Sequence, residues 1–308
     1  MALPKAMDTV GLNYVFALPR PYRGRIYFVE STYGSNLYSG LKYNEPLRSI
    51  TYALTKCVDD NDDLIIVLNG YDNDNTDTET NGDDTPIDIN KNGVSILFTG
   101  RNNIVQAIAS GDSIFQINAN QVTLGVLDKD HDAVWVKAAG AGTTSTVVEI
   151  KAAAVDAEVY GIRTQSLDGY DEVVTIAATA HRAYIHDCDF IGDATDTDEG
   201  IVIEGTTDLV RIENNRLVLC CTANGAIYSN SAHTNCLIRG NVIDSRTASK
   251  KGINFAGASA TGMIISNRIY VDADANGCVN QNCGEYDNLV NDAFTTNAFV
   301  SPAAGTVT

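Results

Sequence analysis

One regularity constrains this chain more than any other: an interval of 26 residues that recurs through its C-terminal half. Four segments, 183–191, 209–217, 236–243 and 262–270, align so that Asp189, Asn215, Asn241 and Asn267 fall in one column, each 26 residues after the one before. A fixed step of this size marks a solenoid, in which each repeat is one coil that buries its apolar face only against its neighbours. Each unit is preceded by another short alternating run, at 200–203, 225–228 and 252–255. Two or three short strands per repeat, separated by single turns, write one coil of a parallel β-helix, with Ile201, Ala226 and Ile253 expected to stack inward from coil to coil. The Asp/Asn column is expected at the turns, since Asn tolerates left-handed backbone angles and its amide can hydrogen-bond the Asn of the next coil. Asp189, Asn215, Asn241 and Asn267 therefore read as a structural ladder.

The period extends backwards. Arg163 lies 26 residues before Asp189, and earlier coils are read at 113–118 and 121–124. The stretch 128–146 breaks the spacing and reads as an excursion from one corner, a place for partner contact or lateral packing. Ahead of the coils, 25–29 reads as a strand and 46–58 as a helix, with Pro46 in its first turn and Leu47, Ile50, Leu54 and Cys57 on one face. Laid across the open strand edge, that helix would block end-to-end association. A further strand follows at 63–70, and stacking begins at 87–98. The domain reading is a docking arm over 1–24 and one β-helix domain over 25–308, its cap spanning 25–92.

This order of elements resembles the start of the pectate-lyase-like, right-handed parallel β-helix superfamily. The matching stretches are 26–29, the loop Tyr33-Gly34-Ser35-Asn36, 46–53, 63–71 and Asn92-Gly93-Val94. The resemblance implies an all-β, right-handed, single-stranded parallel β-helix with an N-terminal capping helix. It leaves activity open, because the superfamily holds polysaccharide lyases, polygalacturonases, phage tailspikes and virion proteins without catalysis.

Composition narrows the functions. A formal net charge of −18 excludes unaided nucleic-acid binding. No stretch has the roughly 18 apolar residues of a membrane span, and the first residues lack the pattern of a secretory leader, so synthesis and assembly in a cytoplasm are expected. Seven cysteines cannot all pair, and they read mostly as reduced core residues.

Two carboxyl groups on one groove would be needed to cleave a glycan, and equivalent outward positions on neighbouring coils, about 4.8 Å apart, would supply them. The candidates are Asp187, Asp189, Glu204 and Glu213, with His186 nearby. The polygalacturonase pattern of Asn-Thr-Asp, Asp-Asp, Gly-His-Gly and Arg-Ile-Lys is absent as a set, since neither Gly-His-Gly nor Arg-Ile-Lys occurs, and there is no clear pectate-lyase set of calcium aspartates with a catalytic arginine. His131, His181, His186 and His233 have no metal-ligand spacing. Calcium is the one ion suggested, at Asp72, Asp74, Asp77 and Asp83, with a second acidic run at Asp193, Asp196, Asp198 and Glu199; no other cofactor is implied. Lys5, Arg20, Arg23 and Arg25 give the N-terminal arm a basic character among apolar side chains.

The leading expectation is a non-catalytic phage structural protein, decorating a capsid or forming a head or tail spike. It would be a homotrimer in contact with a major capsid or tail protein, assembled in the host cytoplasm and resident in the virion. A polysaccharide lyase or glycoside hydrolase is the alternative, and a glycan-binding adhesion module the third reading.

Overall fold

The computed structural model describes residues 23–72, 83, 86–100, 103–105, 113–127, 134–137, 145–166, 170–192, 197–219, 221–245, 249–255, 259–272, 277–280 and 283–292. They form a parallel β-solenoid with three long sheets. Sheet A has ten strands, from Ile26–Val29 to Gly284–Tyr286. Sheet B has eight, from Asn103–Val105 to Leu289–Asp292, and sheet C eight, from Ile87–Ile89 to Cys278–Asn280. Every pairing between these strands is parallel, and in sheets B and C as in A each strand pairs with its equivalents one coil away.

The core follows from alternation. In sheet A, Ile65, Ile96, Leu124, Val159, Ile185, Ile212, Ile238 and Ile264 stand in one register column. All are fully buried. Phe190, Leu217, Ile243, Ile269 and Val290 do the same in sheet B. β-branched and leucine side chains suit such columns because each packs on a neighbour of its own shape one strand spacing away.

In sheet C the column runs Ile201, Ile227, Ile253. Ala226, expected in that column, comes one residue early. The coil buries two successive side chains as it enters this sheet, so Ala226 and Ile227 are both inaccessible. Gly200 sits at the same corner, where a Cβ would come within 2.6 Å of the Leu219 side chain. The 128–146 excursion is corrected too: Val134–Lys137 lies in register between Asn103–Val105 and Ile162–Ser166, so this stretch contributes a rung of sheet B.

The Asn ladder is displaced by one residue at its start. Asn215 N–H donates to Asn241 Oδ1 at 2.9 Å, Asn241 N–H to Asn267 Oδ1 at 3.0 Å, and Asn267 N–H to Asn288 Oδ1 at 3.1 Å. Before Asn215 the ladder ends on the backbone of Cys188, whose N–H reaches Asn215 Oδ1 at 3.1 Å. Asp189 pairs in register with Arg163 and Arg216 on the strands of sheet B. It is thus outside the ladder, because one coil here advances 27 residues, from Cys188 to Asn215. The left-handed residue of the turn is also one earlier than expected: Asp187, Asn214, Gly240, Ser266 and Asp287 have φ between 52° and 67°. The next residue is then free to turn its amide into the core.

The cap differs from its expectation in extent. The helix α1 spans Ile50–Lys56, with Ser49 as N-cap accepting from Tyr52 N–H. Pro46 and Leu47 lie before it. Leu47 instead exchanges backbone hydrogen bonds with the first strand of sheet A, its N–H to Phe28 O at 2.8 Å and its O from Glu30 N–H at 2.9 Å. Phe28 N–H donates to Gly40 O. The free edge of sheet A is therefore covered by the loop between residues 30 and 47, while α1 buries Ile50, Ala53 and Leu54 against the core.

Candidate functional site

The outer face of sheet A carries the densest chemistry. Alternation places Glu158, Tyr160, Tyr184, His186, Arg211, Glu213 and Arg239 outward on successive coils. Tyr184 and His186 stack with ring centroids 4.0 Å apart, and His186 and Tyr160 at 5.2 Å. The Arg211 guanidinium lies 4.2 Å from the Tyr184 ring centre. At the other end, the Tyr160 ring lies on Gly125, where a Cβ would meet it at 2.5 Å. The row Gly125–Tyr160–His186–Tyr184–Arg211 is closed at both ends, so its ring faces are spent on one another rather than offered to a sugar.

The carboxylates are engaged in the same manner. His186 Nδ1 is 2.9 Å from Asp187 Oδ2 and its Nε2 3.4 Å from Glu158 Oε1. Burial opposes protonation of His186, but hydrogen bonds to Glu158 and Asp187 outweigh it and hold the imidazole above its usual pKa. Glu213 is wholly buried between Arg211 and Arg239, one on its own strand and one a coil later. Of the four nominated catalytic carboxylates, Asp187 and Glu213 thus flank His186 on neighbouring coils. Asp189 lies on sheet B, gripped by Arg163 at 2.8 Å and Arg216 at 2.8 Å. Glu204 is exposed beyond the end of its sheet C strand. The structure does not gather the four into one groove.

A different carboxylate pair stands where the chain enters sheet C. Glu172 and Glu199 are register partners on adjacent strands. Glu172 accepts from Thr146 Oγ1 at 3.2 Å, and Glu199 from Asn224 Nδ2 at 2.5 Å. Burial pushes the Glu172 carboxyl up to about 7, against the Thr146 hydrogen bond and with help from Asp171, Glu199 and Glu204. The sequence signal for this pair was a separation of 27 residues, one coil step.

The acidic loops yield a structural role first. Asp83 is buried and accepts from Ile50 N–H at 2.7 Å, Thr51 N–H at 2.6 Å and the Tyr71 hydroxyl. It caps α1 from a distant part of the chain, so this carboxylate serves the helix N-terminus. Asp72 is tied through its backbone N–H to Ser31 Oγ at 2.9 Å. Asp74, Asp77, Asp193 and Asp196 lie outside the described residues, as does His131. Among the described residues there is no group of three or more His, Cys, Asp or Glu side chains that would hold a metal. His233 is buried in the core, edge-on to Phe255, and burial lowers its pKa.

The N-terminal end offers a surface of another kind. The loop between residues 30 and 47 exposes Tyr33, Leu37, Tyr38, Leu41 and Tyr43, with Leu37 96% accessible. Arg23 and Arg25, also exposed, lead into the strand this loop covers. Lys5 and Arg20 of the arm lie outside the described residues. No helix among those described is long and apolar enough to cross a membrane.

The chain matches no protein-family model and no curated protein. Among solved structures it is similar to the GH136 lacto-N-biosidase from Eubacterium ramulus, at 11% identity over 88% of this chain and 68% of that one, with a TM-score of 0.37. A likeness this distant transfers neither an active site nor an activity.

Proposed function

We propose that the protein is a non-catalytic structural β-helix of a virus particle, a capsid-decorating protein or a head or tail spike, related to the virion members of the pectate-lyase-like superfamily. The observation that carries the reading is the exposed loop of Tyr33, Leu37, Tyr38, Leu41 and Tyr43 beside Arg23 and Arg25, at the end from which the 1–24 arm departs. Five large apolar side chains gathered in one exposed loop form a patch of the kind that meets another protein. The basic side chains next to it, on a chain of net charge −18, fit a capsid or tail protein whose docking face is apolar with an acidic rim. The closed ring row of sheet A and the arginine-held carboxylates Glu213 on sheet A and Asp189 on sheet B support the same reading, since they lock coil to coil and leave the shaft stiff. Homo-oligomeric assembly, as a trimer, and residence in the virion belong to this proposal.

The test is attachment. Particles lacking the protein are mixed with the full chain, with a deletion of 1–24, and with a Tyr33→Ser, Leu37→Ser, Leu41→Ser variant. Loss of co-sedimentation for both variants, with unchanged circular dichroism, is the expected result. Attachment of both at the level of the full chain would end the proposal.

The Glu172–Glu199 pair favours a second reading, a glycoside hydrolase of the retaining kind. Register partners on adjacent strands lie about 4.8 Å apart along the sheet, close to the separation that mechanism needs, with the raised Glu172 as acid and Glu199 as nucleophile. Release of reducing sugar from host-surface glycan, abolished by Glu172→Gln and by Glu199→Gln, would establish it. No release from any glycan that the host displays would remove it.

A further inference from the structure

His186 ends the strand Tyr184–His186, the sixth of the ten in sheet A, and each side of its ring has a partner. Nδ1 lies 2.9 Å from Asp187 Oδ2 in the same turn, and Nε2 lies 3.4 Å from Glu158 Oε1 one coil earlier. The faces of the ring are covered as well. The Tyr184 ring stacks on it at 4.0 Å with 23° between planes, and the Tyr160 ring at 5.2 Å with 14°. All four neighbours favour a positive charge on the imidazole, the carboxylates through charge-assisted hydrogen bonds and the tyrosine rings through their electron-rich faces. The side chain is only 14% accessible, so salt screens these interactions weakly.

We propose that His186 is a pH-operated clamp between successive coils, closed as the imidazolium and released when the ring loses its proton. The imidazolium donates from both nitrogens, to Asp187 and to Glu158. The neutral ring has one N–H left. It stays on Nδ1, held by the shorter contact to Asp187, and Nε2 then turns a lone pair toward the Glu158 carboxylate. The bond lost is the one that joins two coils, while the bond kept lies within a single turn.

The remaining charges around the ring leave this balance in place. On the next coil Glu213 is the register partner of His186, and Arg211 and Arg239 both pair with it. Arg211 also lies over the Tyr184 ring. On the preceding coil Glu158 accepts from Thr123 Oγ1 at 3.2 Å, which keeps its carboxylate oriented in either state of His186. Burial lowers the pKa of the imidazole, but the hydrogen bonds to Glu158 and Asp187 outweigh it and leave the group above its ordinary 6.5. A group raised by folding stabilises the native chain fully below its unfolded value, and that contribution is lost as pH rises through the folded one. The clamp therefore holds the shaft tightest in mildly acidic medium and loosens on the alkaline side of neutrality.

The experiment is a pair of titrations on the folded full chain. In the first, NMR follows the ring of His186, assigned through the backbone of residues 185–187. The expected result is a midpoint above 6.5 in the parent and a lower one in Glu158→Gln. In the second, urea unfolding of the parent, His186→Gln and Glu158→Gln is compared at pH 6 and pH 8.5. The parent should have the higher urea midpoint at pH 6 and should lose that lead at pH 8.5. A His186 titration at or below 6.5, one that Glu158→Gln leaves unmoved, or a lead of the same size at both pH values would each overturn the proposal.

Discussion

Replacing Asn241 by alanine removes the centre of the ladder that holds the coils in register. Its side chain makes four hydrogen bonds. Nδ2 donates to Ile212 O at 2.9 Å and Asn267 Oδ1 at 3.0 Å, and Oδ1 accepts from Asn215 N–H at 2.9 Å and Asn215 Nδ2 at 3.1 Å. The losses are unequal. Asn215 Nδ2 keeps Ile185 O at 3.0 Å, and Asn267 Oδ1 keeps Asn241 N–H at 3.0 Å. The Asn215 backbone N–H is left buried without an acceptor, which costs about 2 kcal/mol, and the other three bonds contribute somewhat less than 1 kcal/mol each. The expected destabilisation is therefore about 4 kcal/mol. Asn288→Ala, on the partly exposed last rung, should cost less than half as much, because water replaces the lost partners. Urea unfolding gives the stability difference, and amide hydrogen exchange at Asn215 reads the orphaned group directly. A change under about 1 kcal/mol for Asn241→Ala, equal costs for the two variants, or undiminished protection of Asn215 would refute the ladder's role.

Asp83→Ala orphans two helix N–H groups and the Tyr71 hydroxyl and should cost about 3 kcal/mol, with exchange fastest at Ile50 and Thr51; a loss under 1 kcal/mol would show that Ser49 alone suffices as cap. Glu213→Ala frees two half-exposed arginines that water can solvate, so the expected loss is only about 1–2 kcal/mol, seen as a modest fall in urea midpoint. Glu172 is raised from an ordinary 4.5 to about 7, so between those values the native chain holds a proton that the unfolded chain has released. Its carboxylate therefore weakens the fold increasingly as pH rises through this window. Glu172→Gln should stabilise the fold at pH 8, by less than the roughly 3 kcal/mol of the full shift because solvent screens this half-buried side chain, and change little at pH 4.5; the same gain at both pH values would contradict the buried-carboxyl account.

The repeat made the fold legible because a solenoid writes each coil in the same few residues. Asn215, Asn241 and Asn267 repeat every 26 residues and do hydrogen-bond one another. Where the coil length changes the expectation is off by one, as for Asp189, whose column belongs to Cys188; Ala226 is off by one although Ile201, Ile227 and Ile253 keep the 26-residue step, because Gly225 shares its register position with Glu199 and not with Gly200. A single inserted residue at a corner shifts every later side chain, and the apolar pattern alone does not locate the insertion. Pro46 drew the helix too far forward because an extended segment pairing with Phe28 and Glu30 also accommodates proline. The candidate sites were less legible. Which carboxylates end beside arginine depends on register across coils, as for Asp189 with Arg163 and Arg216, and that is a tertiary property. The pairing of Glu172 with Glu199 depends on the register of two strands at the entry to sheet C, which the apolar pattern of either strand does not carry. Asp83 was read as part of an acidic loop because its partner, the N-terminus of α1, lies 33 residues away in sequence.

The measurement that tests the central claim most directly is electron cryo-microscopy of intact particles purified from the native source. The account predicts density for this β-helix at regular positions, with the 33–43 loop and the N-terminal end turned toward the capsid or tail. Particles that carry no such density, together with glycan cleavage by the free protein, would contradict it.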